Sequence, residues 1–479
     1  MNSGSIIFGR LNAFWLAAVL AGAGMPCAGY ADAVLDQDLA VTAQPGMLWQ
    51  SSETLKPPVA PAMPGLTSPV TLAELTDYAL RNNPSTREAW EAARAQAAAL
   101  GIAGAAYYPT LDGLVSLTRG KTSINSSSGV VSGSTQTRLS PSISLGYVLF
   151  DFGARSSAKQ AAGYNLLAAN LAQNRALQAV VLRVEQTYYQ LLAARQTIVA
   201  GEETLKNVQT SLDAANARRQ AGLATIGDVY QAETLLAQSR LQLRRAQGEA
   251  GKLKGALCNA VGLPVNAKLE LAPPEARPPS GTVRAAVEDY LDAARTNRPD
   301  LGAAEAQARA AQADADAASA QGYPSLDLSI AAGKTYNDYR SGSYSSSSSN
   351  GSIGINLRIP LFDGFKTTYS VRQAQARAGQ MEAARDRVAL QVELDVWQAY
   401  FDLDTAEAAI DSAQALLRSA GQAREVAQAR YRAGVGNLPD LLLAQANEAN
   451  ARMEVIQAEM GWYASLSQLN NSIGTLETK

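Results

Sequence analysis

The chain repeats itself at a constant spacing. Residues 149–153 (LFDFG) return as 361–365 (LFDGF), and residues 217–223 (ARRQAGL) return as 429–435 (ARYRAGV), each 212 positions later. A constant offset leaves no room for insertions between the two motifs. The sequence therefore predicts two similar halves with helices of matched length.

The longest segments of each half are predicted to be helices. No proline lies between Gly153 and Gly222 or between Gly364 and Gly434. Heptad steps of apolar residues run through both segments: Leu191, Ile198, Leu205 and Leu212, then Leu403, Ile410 and Leu417. Such spacing is typical of coiled coils, and 65–70 residues would make a rod about 100 Å long. Return helices are predicted from Asp228 and from Asp440.

Short runs with a period of two precede each long helix. In residues 139–149 and 353–361 apolar side chains alternate with Ser, Gly and other polar residues. We predict strands at about 110–120 and 138–150 in the first half, and about 325–335 and 352–361 in the second. The length and alternation fit transmembrane strands. An ordinary sheet with one solvated face is the alternative.

Four strands cannot close a barrel, and open strand edges are not tolerated in a bilayer. A barrel would therefore be shared among subunits, and three chains would supply about twelve strands. The strand–helix junctions of the two halves carry the same residue types. We predict that these residues lie at the interface with outer-membrane lipid: Tyr108, Pro109, Phe150, Asp151, Tyr323, Pro324, Phe362 and Asp363.

The N-terminus has the layout of a secretory signal peptide, with an early positive charge, a short apolar core and small residues before Ala31. A lipid anchor is disfavoured because Pro26 precedes Cys27. The predicted organisation is a signal peptide (1–31), a Pro-rich extension (32–70), a first repeat (71–262), a Pro-rich linker (263–281), a second repeat (282–474) and a tail (475–479).

The composition disfavours most chemistry. There is no histidine and there are only two cysteines, so the commonest general base and metal ligands are scarce. The formal charge of −2 and the lack of a basic cluster argue against nucleic-acid binding. Mean hydropathy is −0.11, too polar for a bundle of membrane helices. We expect no cofactor, no metal site and no enzymatic activity.

The duplicated order of helix, two strands, long helix and return helix resembles the TolC family of outer-membrane efflux and secretion channels. The two turns, residues 221–229 (AGLATIGDV) and 433–441 (AGVGNLPDL), are similar to those of that family. The resemblance implies a mixed membrane α+β fold, in which a homotrimer forms a 12-stranded β-barrel with four strands per chain. A long periplasmic α-helical coiled-coil barrel continues it. The resemblance also implies a location in the outer membrane of a Gram-negative bacterium.

The resemblance further implies residue roles at the periplasmic tip. Asp440 falls on a pore-constriction aspartate, while Asp228 and Tyr431 fall on a network that closes the pore. The family's second constriction acid is Leu443 here, and its network arginine is Gly436, so Arg432 or Arg219 is expected to substitute. Local roles remain as alternatives: helix capping for Asp228 and Asp440, and packing for Tyr431.

The expected function is export through a passive channel that docks to a periplasmic adaptor (membrane fusion protein) and an inner-membrane pump. An ABC transporter in type I protein secretion is favoured because the chain lacks the N-terminal lipid of many drug-efflux channels. The alternative is multidrug or small-molecule efflux with a proton-driven pump. A periplasmic coiled-coil scaffold is a further alternative.

Overall fold

The computed structural model describes residues 69–125, 131–273, 286–339 and 344–475, all within one unit, Met63–Lys479. The predicted signal peptide lies outside the described residues, as do most of the Pro-rich extension, part of the linker and all but the first residue of the predicted tail.

Each half of the described chain contains the same elements in the same order. The first half comprises α1 (Leu72–Asn82), α2 (Pro84–Ala105), β1 (Thr110–Asn125), β2 (Val131–Phe150), α3 (Ala154–Gln220) and α4 (Ile226–Val261). The second comprises α5 (Val287–Asn297), α6 (Pro299–Ala320), β3 (Ser325–Tyr339), β4 (Tyr344–Arg358), α7 (Lys366–Arg432) and α8 (Leu438–Ile473). Corresponding helices have equal lengths of 11, 22, 67 and 36 residues.

The four strands form one antiparallel sheet in the order β1-β2-β3-β4. Its register places Leu111 opposite Leu145, Leu145 opposite Ile330, and Ile330 opposite Ile353. Within the described residues the outer edges of β1 and β4 have no strand partner. Large apolar side chains on these outer strands are exposed, among them Leu111 at 71% and Ile353 at 75%.

The helices pack as two antiparallel pairs, α3 with α4 and α7 with α8. Helix α6 lies against both long helices, and α8 packs against α3, so the two halves are joined along their length. One apolar cluster unites α1, α3, α4 and α8 around buried residues such as Val184, Tyr188 and Leu257. None of the described helices is long and apolar enough to cross a membrane.

A buried arginine fixes the start of the second half. Arg298, whose side chain is 3% exposed, donates through Nε to Asp300 at 2.9 Å and through Nη1 to Asp395 at 3.0 Å. Nη1 also contacts the carbonyl oxygen of Ser472 at 3.3 Å. One side chain thereby connects α6, α7 and the end of α8. Beside it Gly474 has a φ of +87°, and a Cβ there would lie 2.8 Å from the carbonyl oxygen of Asn297, so only glycine fits.

Candidate functional site

The predicted site lies at two turns that share one hydrogen-bond pattern. Helix α3 ends with the amide of Leu223 donating to the carbonyl of Arg218 at 2.8 Å. Helix α7 ends with the amide of Val435 donating to the carbonyl of Arg430 at 3.1 Å. These are 6→1 bonds of a helix C-terminal cap, and they satisfy carbonyls that the helix leaves free. The repeated Ala-Gly motif thus reverses the chain in the same way twice.

Each return helix begins with a side-chain cap. Asp228 accepts hydrogen bonds from the amide and the hydroxyl of Thr225, both at 2.8 Å, while the amide of Asp228 donates to Thr225 Oγ1 at 3.3 Å. In the second turn the amide of Asp440 donates to Asn437 Oδ1 at 2.8 Å. The two aspartates therefore differ: the carboxylate of Asp228 is engaged in its own cap, whereas the cap of α8 uses only the amide of Asp440.

The two turns share one apolar core. One apolar cluster combines buried residues of α3 and α4 with buried residues of the second turn. Its members are Val208, Leu212 and Ala215 of α3, Val229, Ala232 and Leu236 of α4, and Tyr431, Leu438, Leu441 and Leu442 of the second turn. The second turn is therefore seated on the first helix pair, and a movement of either pair at this level would expose apolar surface.

Arg218 bridges the two helix pairs at this core. Its guanidinium carbon lies 4.6 Å from the centroid of the Tyr431 ring, and Nη1 donates to the carbonyl oxygen of Tyr431 at 2.6 Å. Tyr431 is 7% exposed, and its hydroxyl has no hydrogen-bond partner among the described residues. Sequence reasoning did not identify Arg218. Its position in the repeated ARRQ/ARYR motif was visible, but the motif does not show which helix the side chain reaches.

The remaining predicted tip residues face outward. Asp440 and Arg432 are exposed, and the structure records no side-chain hydrogen bond or ion pair for either among the described residues. Leu443, at the position of the family's second acid, is 63% exposed. The structure therefore brings Tyr431 together with Arg218, and among the described residues of one protomer it records no hydrogen bond from the Tyr431 hydroxyl to Asp228 or Arg432.

A chain of alternating charges joins the helix pairs farther from the turns. Glu448 of α8, at 8% exposure, lies 2.8 Å from Nε of Arg424 of α7 and 3.2 Å from Nη2 of Arg452. Arg452 also pairs with Glu203 of α3. Because Glu448 is buried between two arginines, loss of its charge would leave both guanidinium groups without their shared partner.

At the other end of the long helices, the predicted junction aspartates cap them. Asp151 accepts from the amides of Gly153 (3.3 Å) and Arg155 (3.1 Å), and from Nε of Arg155 at 2.8 Å. Asp363 accepts from the amide of Thr367 at 2.8 Å. Both carboxylates satisfy amides in the first turn of a long helix, where a negative charge is favoured.

The junctions also carry exposed aromatic rings. Tyr108, Phe150, Tyr323 and Phe362 are 53–76% exposed, and the stacked pair Phe152 and Tyr323 has its centroids 5.5 Å apart. Two successive residues at each junction have positive φ, Phe152–Gly153 in the first half and Gly364–Phe365 in the second. Pro109 and Pro324 lie directly before β1 and β3. Exposed rings at the ends of a sheet are typical of a membrane interface.

The described residues form a four-stranded sheet with two free edges, continued by two helices about 100 Å long that each pair with a shorter return helix. This arrangement defines one protomer of a barrel-and-tunnel channel. The chain belongs to the outer membrane efflux protein family, whose model matches residues 75–263 and 290–475.

Similar proteins extend over most of the chain. Protein CyaE of Bordetella pertussis is 32% identical over 386 residues, which cover 80% of this chain and 79% of that protein. The pyoverdine export outer membrane protein OpmQ of Pseudomonas aeruginosa is 27% identical, covering 82% and 84%. The solved structure of the outer-membrane channel OprN matches with a TM-score of 0.75 and 22% identity, covering 84% of this chain and 89% of that one.

These findings confirm the predicted family, the fold class and the location. The protein is a trimeric outer-membrane channel of a Gram-negative bacterium, with a 12-stranded barrel and a helical tunnel that extends into the periplasm. It is a passive channel and not an enzyme, as predicted. Family membership also removes the scaffold alternative. Channels of this family work with periplasmic adaptors and inner-membrane pumps.

Proposed function

We propose that this channel exports polypeptides in a type I secretion system, docked to a periplasmic adaptor and an inner-membrane ABC transporter. The observation that carries the proposal is the 32% identity to protein CyaE along four fifths of the chain. The identity to OpmQ, a pyoverdine export protein by name, is 27% over a similar length.

The pore is proposed to narrow at the turns described above. Asp440 is exposed and its carboxylate is not used by the cap of its own helix. Three such carboxylates around a three-fold axis would repel one another and concentrate cations. We assign Asp440 to the constriction on this ground.

Closure of the pore is proposed to depend on the packing of the second turn against α3 and α4. Tyr431 supports it through its ring and carbonyl, which Arg218 holds. Asp228 is proposed to act through the cap that shapes the first turn, and the exposed Arg432 is proposed to contact a neighbouring subunit. Opening would then require the helix pair α7–α8 to leave the core it shares with α3 and α4.

Small-molecule efflux is the second candidate, and the match to OpmQ favours it. The two functions differ in the pump and in the cargo. A deletion strain separates them when two quantities are measured together: the polypeptides in the culture supernatant, by mass spectrometry, and tolerance to solvents and antibiotics.

The expected result is loss of one or a few large polypeptides from the supernatant, their retention in the cell, and unchanged tolerance. Plasmid-borne wild-type channel should restore secretion. A strain that secretes normally but becomes sensitive to solvents or antibiotics would overturn the proposal and assign the channel to efflux.

A further inference from the structure

A charged residue interrupts the apolar heptad of α7. Steps of seven residues through Leu403, Ile410 and Leu417 lead next to Arg424. One further step leads to Tyr431, which is buried. Positions with this spacing form the contact between paired helices, and a polar residue there lowers stability. The side chain of Arg424 therefore needs a partner of opposite charge on the helix that packs against α7.

Glu448 of α8 is that partner. Its side chain is 10% exposed, that of Arg424 is 25% exposed, and one carboxylate oxygen lies 2.8 Å from Arg424 Nε. This Nε makes no hydrogen bond among the described residues, so the contact is an ion pair without aligned geometry. Arg452, one turn along α8, lies 3.2 Å from the other carboxylate oxygen. We call Arg424 and Glu448 the ionic layer.

The first repeat has leucines at the same two positions. Helices α3 and α7 are related by an offset of 212 residues, as are α4 and α8. The counterpart of Arg424 is therefore Leu212, and that of Glu448 is Leu236. Both leucines are buried in the apolar core that the two turns share. The same layer is thus apolar in the first hairpin (α3–α4) and ionic in the second hairpin (α7–α8).

A glycine beside the ionic layer weakens α7 further. A Cβ added at Gly421 would meet only Glu448 Oε1, at 4.0 Å, so the backbone of α7 passes close to the carboxylate. The counterpart of Gly421 in α3 is Gln209. Glycine within a helix is destabilising because its backbone loses more freedom on folding than that of any other residue. The backbone of the second hairpin is therefore less stable at this level than that of the first.

Packing against α3 is also incomplete beside the ionic layer. A groove of about 680 Å³ lies between α3, α7 and α8, and its lining includes Val199 and Glu203 of α3 opposite Gly421 and Glu448. Residues 193–207 of α3 are all partly or fully exposed. Helix α3 therefore supplies few of the close contacts that would hold the second hairpin in place at this level.

An ionic layer and an apolar layer respond differently when two helices separate. Two leucines that separate expose apolar surface to water, which is unfavourable in proportion to the exposed area. A carboxylate and a guanidinium that separate recover their hydration, which offsets much of the lost attraction. Replacing a buried ion pair by apolar residues is accordingly often neutral or stabilising. At this level the second hairpin should therefore open locally more often than the first.

We propose that the ionic layer makes the second hairpin the more flexible one, so that α7 and α8 separate at Arg424 and Glu448 while α3 and α4 stay paired. The layer lies seven residues from Tyr431 along α7 and eight from Asp440 along α8. It thereby sets how readily the second turn leaves the core that it shares with α3 and α4. The effect on the pore rests on the proposed closure at the turns, whereas the local flexibility does not.

The first test measures local opening by hydrogen–deuterium exchange of the full-length trimer in detergent. Backbone amides of residues 421–428 and 445–452 should exchange about tenfold faster than those of the counterpart residues 209–216 and 233–240. Equal or slower exchange in the second hairpin would overturn the proposal.

Substitutions test whether the ionic layer is the cause. The double variant Arg424→Leu/Glu448→Leu copies the first hairpin and should slow exchange at residues 421–428 and 445–452 by about tenfold. Each single variant leaves a buried charge without its partner and should speed exchange there instead. This reversal of sign distinguishes a buried ion pair from two independent contacts.

A matched control removes charges of the same types from exposed positions of the same two helices. Arg418→Leu/Glu454→Leu should leave exchange at the ionic layer unchanged, since both residues are exposed. A double variant Arg424→Leu/Glu448→Leu that exchanges as fast as the wild type, or no faster exchange in the single variants, would overturn the proposal.

The final measurement connects the ionic layer to the pore. In a planar bilayer Glu448→Leu should raise the fraction of open time of resting channels by about tenfold, and adding Arg424→Leu should return it to the wild-type value or below. Slowed exchange in the double variant without any effect of either variant on the open fraction would reject closure at the turns. Unchanged exchange would reject the ionic layer itself.

Discussion

Arg218 holds Tyr431 by its ring and by its backbone at once, with the guanidinium 4.6 Å from the ring centroid and Nη1 2.6 Å from the carbonyl oxygen. The two residues belong to different helix pairs, α3–α4 and α7–α8. A single cationic side chain therefore joins the two pairs at the level of the turns.

Replacing this arginine should loosen the tip. A partly buried cation–π contact and a hydrogen bond from a charged group are each worth about 0.5–3 kcal/mol. We expect Arg218→Ala to raise the fraction of open time of resting channels in a planar bilayer by about tenfold. Arg240→Ala, at an exposed position of α4 with no assigned role, is the control and should have little effect. Equal open fractions in the two variants would remove Arg218 from closure.

The hydroxyl of Tyr431 should matter less than its ring. It is buried and has no hydrogen-bond partner among the described residues, whereas the ring and carbonyl contact Arg218. Tyr431→Phe should therefore leave the resting open fraction near the wild-type value, and Tyr431→Ala should raise it. An increase with Tyr431→Phe would show that the hydroxyl bonds to a neighbouring subunit in the trimer.

Asp440 should control the passage of cations. Removal of three like charges from a narrow pore weakens the attraction for divalent ions. We expect Asp440→Asn to raise the concentration of divalent cation that half-blocks the channel by about tenfold. Asp411→Asn, at an exposed position within α7, is the control. Unchanged block in Asp440→Asn would place Asp440 outside the pore.

Asp151 should stabilise the start of α3. Its carboxylate accepts from two amides and from Arg155, and both side chains are only about 15% exposed. A lost cap costs about 1–2 kcal/mol, so Asp151→Ala should speed hydrogen exchange at the amides of Gly153 and Arg155 by about tenfold. Asp112→Ala, in an exposed part of β1, should not. Equal exchange in the two variants would contradict the cap.

Acid should weaken the joint that Arg298 makes. Burial raises the pKa of Asp300, but the hydrogen bonds and positive charge of Arg298 and Arg175 outweigh this and hold the pKa below its usual value. The folded state therefore binds fewer protons than the unfolded state. The resulting stability is present above the unfolded-state pKa, near 4, and is lost as the pH falls through the folded pKa.

Asp300→Asn should remove part of this acid sensitivity. The measurement is the thermal midpoint of the helical circular dichroism signal at pH 7 and at about pH 3. The thermal midpoint of the wild type should fall further on acidification than that of Asp300→Asn. The variant Asp292→Asn, at an exposed position, should behave like the wild type. Equal falls in the thermal midpoint of the wild type and of Asp300→Asn would refute a stabilising role for the Asp300 carboxylate.

The fold class could be predicted because its signals are periodic and occur twice. The offset of 212 residues, the heptad steps and the alternating strands each repeat in the two halves. Strand ends were less visible: β1 continues to Asn125 and β3 to Tyr339, through Ser- and Gly-containing sequence where alternation fades. Hydrogen bonds to the neighbouring strand define these ends, and a single strand's sequence does not show its neighbour.

The contacts of the tip could be predicted only in part. The turns and their caps are local, so the patterns at Thr225–Asp228 and Asn437–Asp440 can be read from adjacent residues. The contact between Arg218 and Tyr431 spans 213 positions and depends on how two helix pairs cross. No local pattern encodes that crossing, and arginines are common along both helices.

The equal helix lengths of the two halves limit how such a chain can change in length during evolution. A deletion of a few residues in α3 alone would turn every later side chain about 100° per residue around the helix axis. It would also leave α7 taller by the same amount. Viable insertions and deletions must therefore be matched. Whole helical turns must be added to or removed from both helices of one hairpin and, at the same level, from both helices of the hairpin in the other repeat.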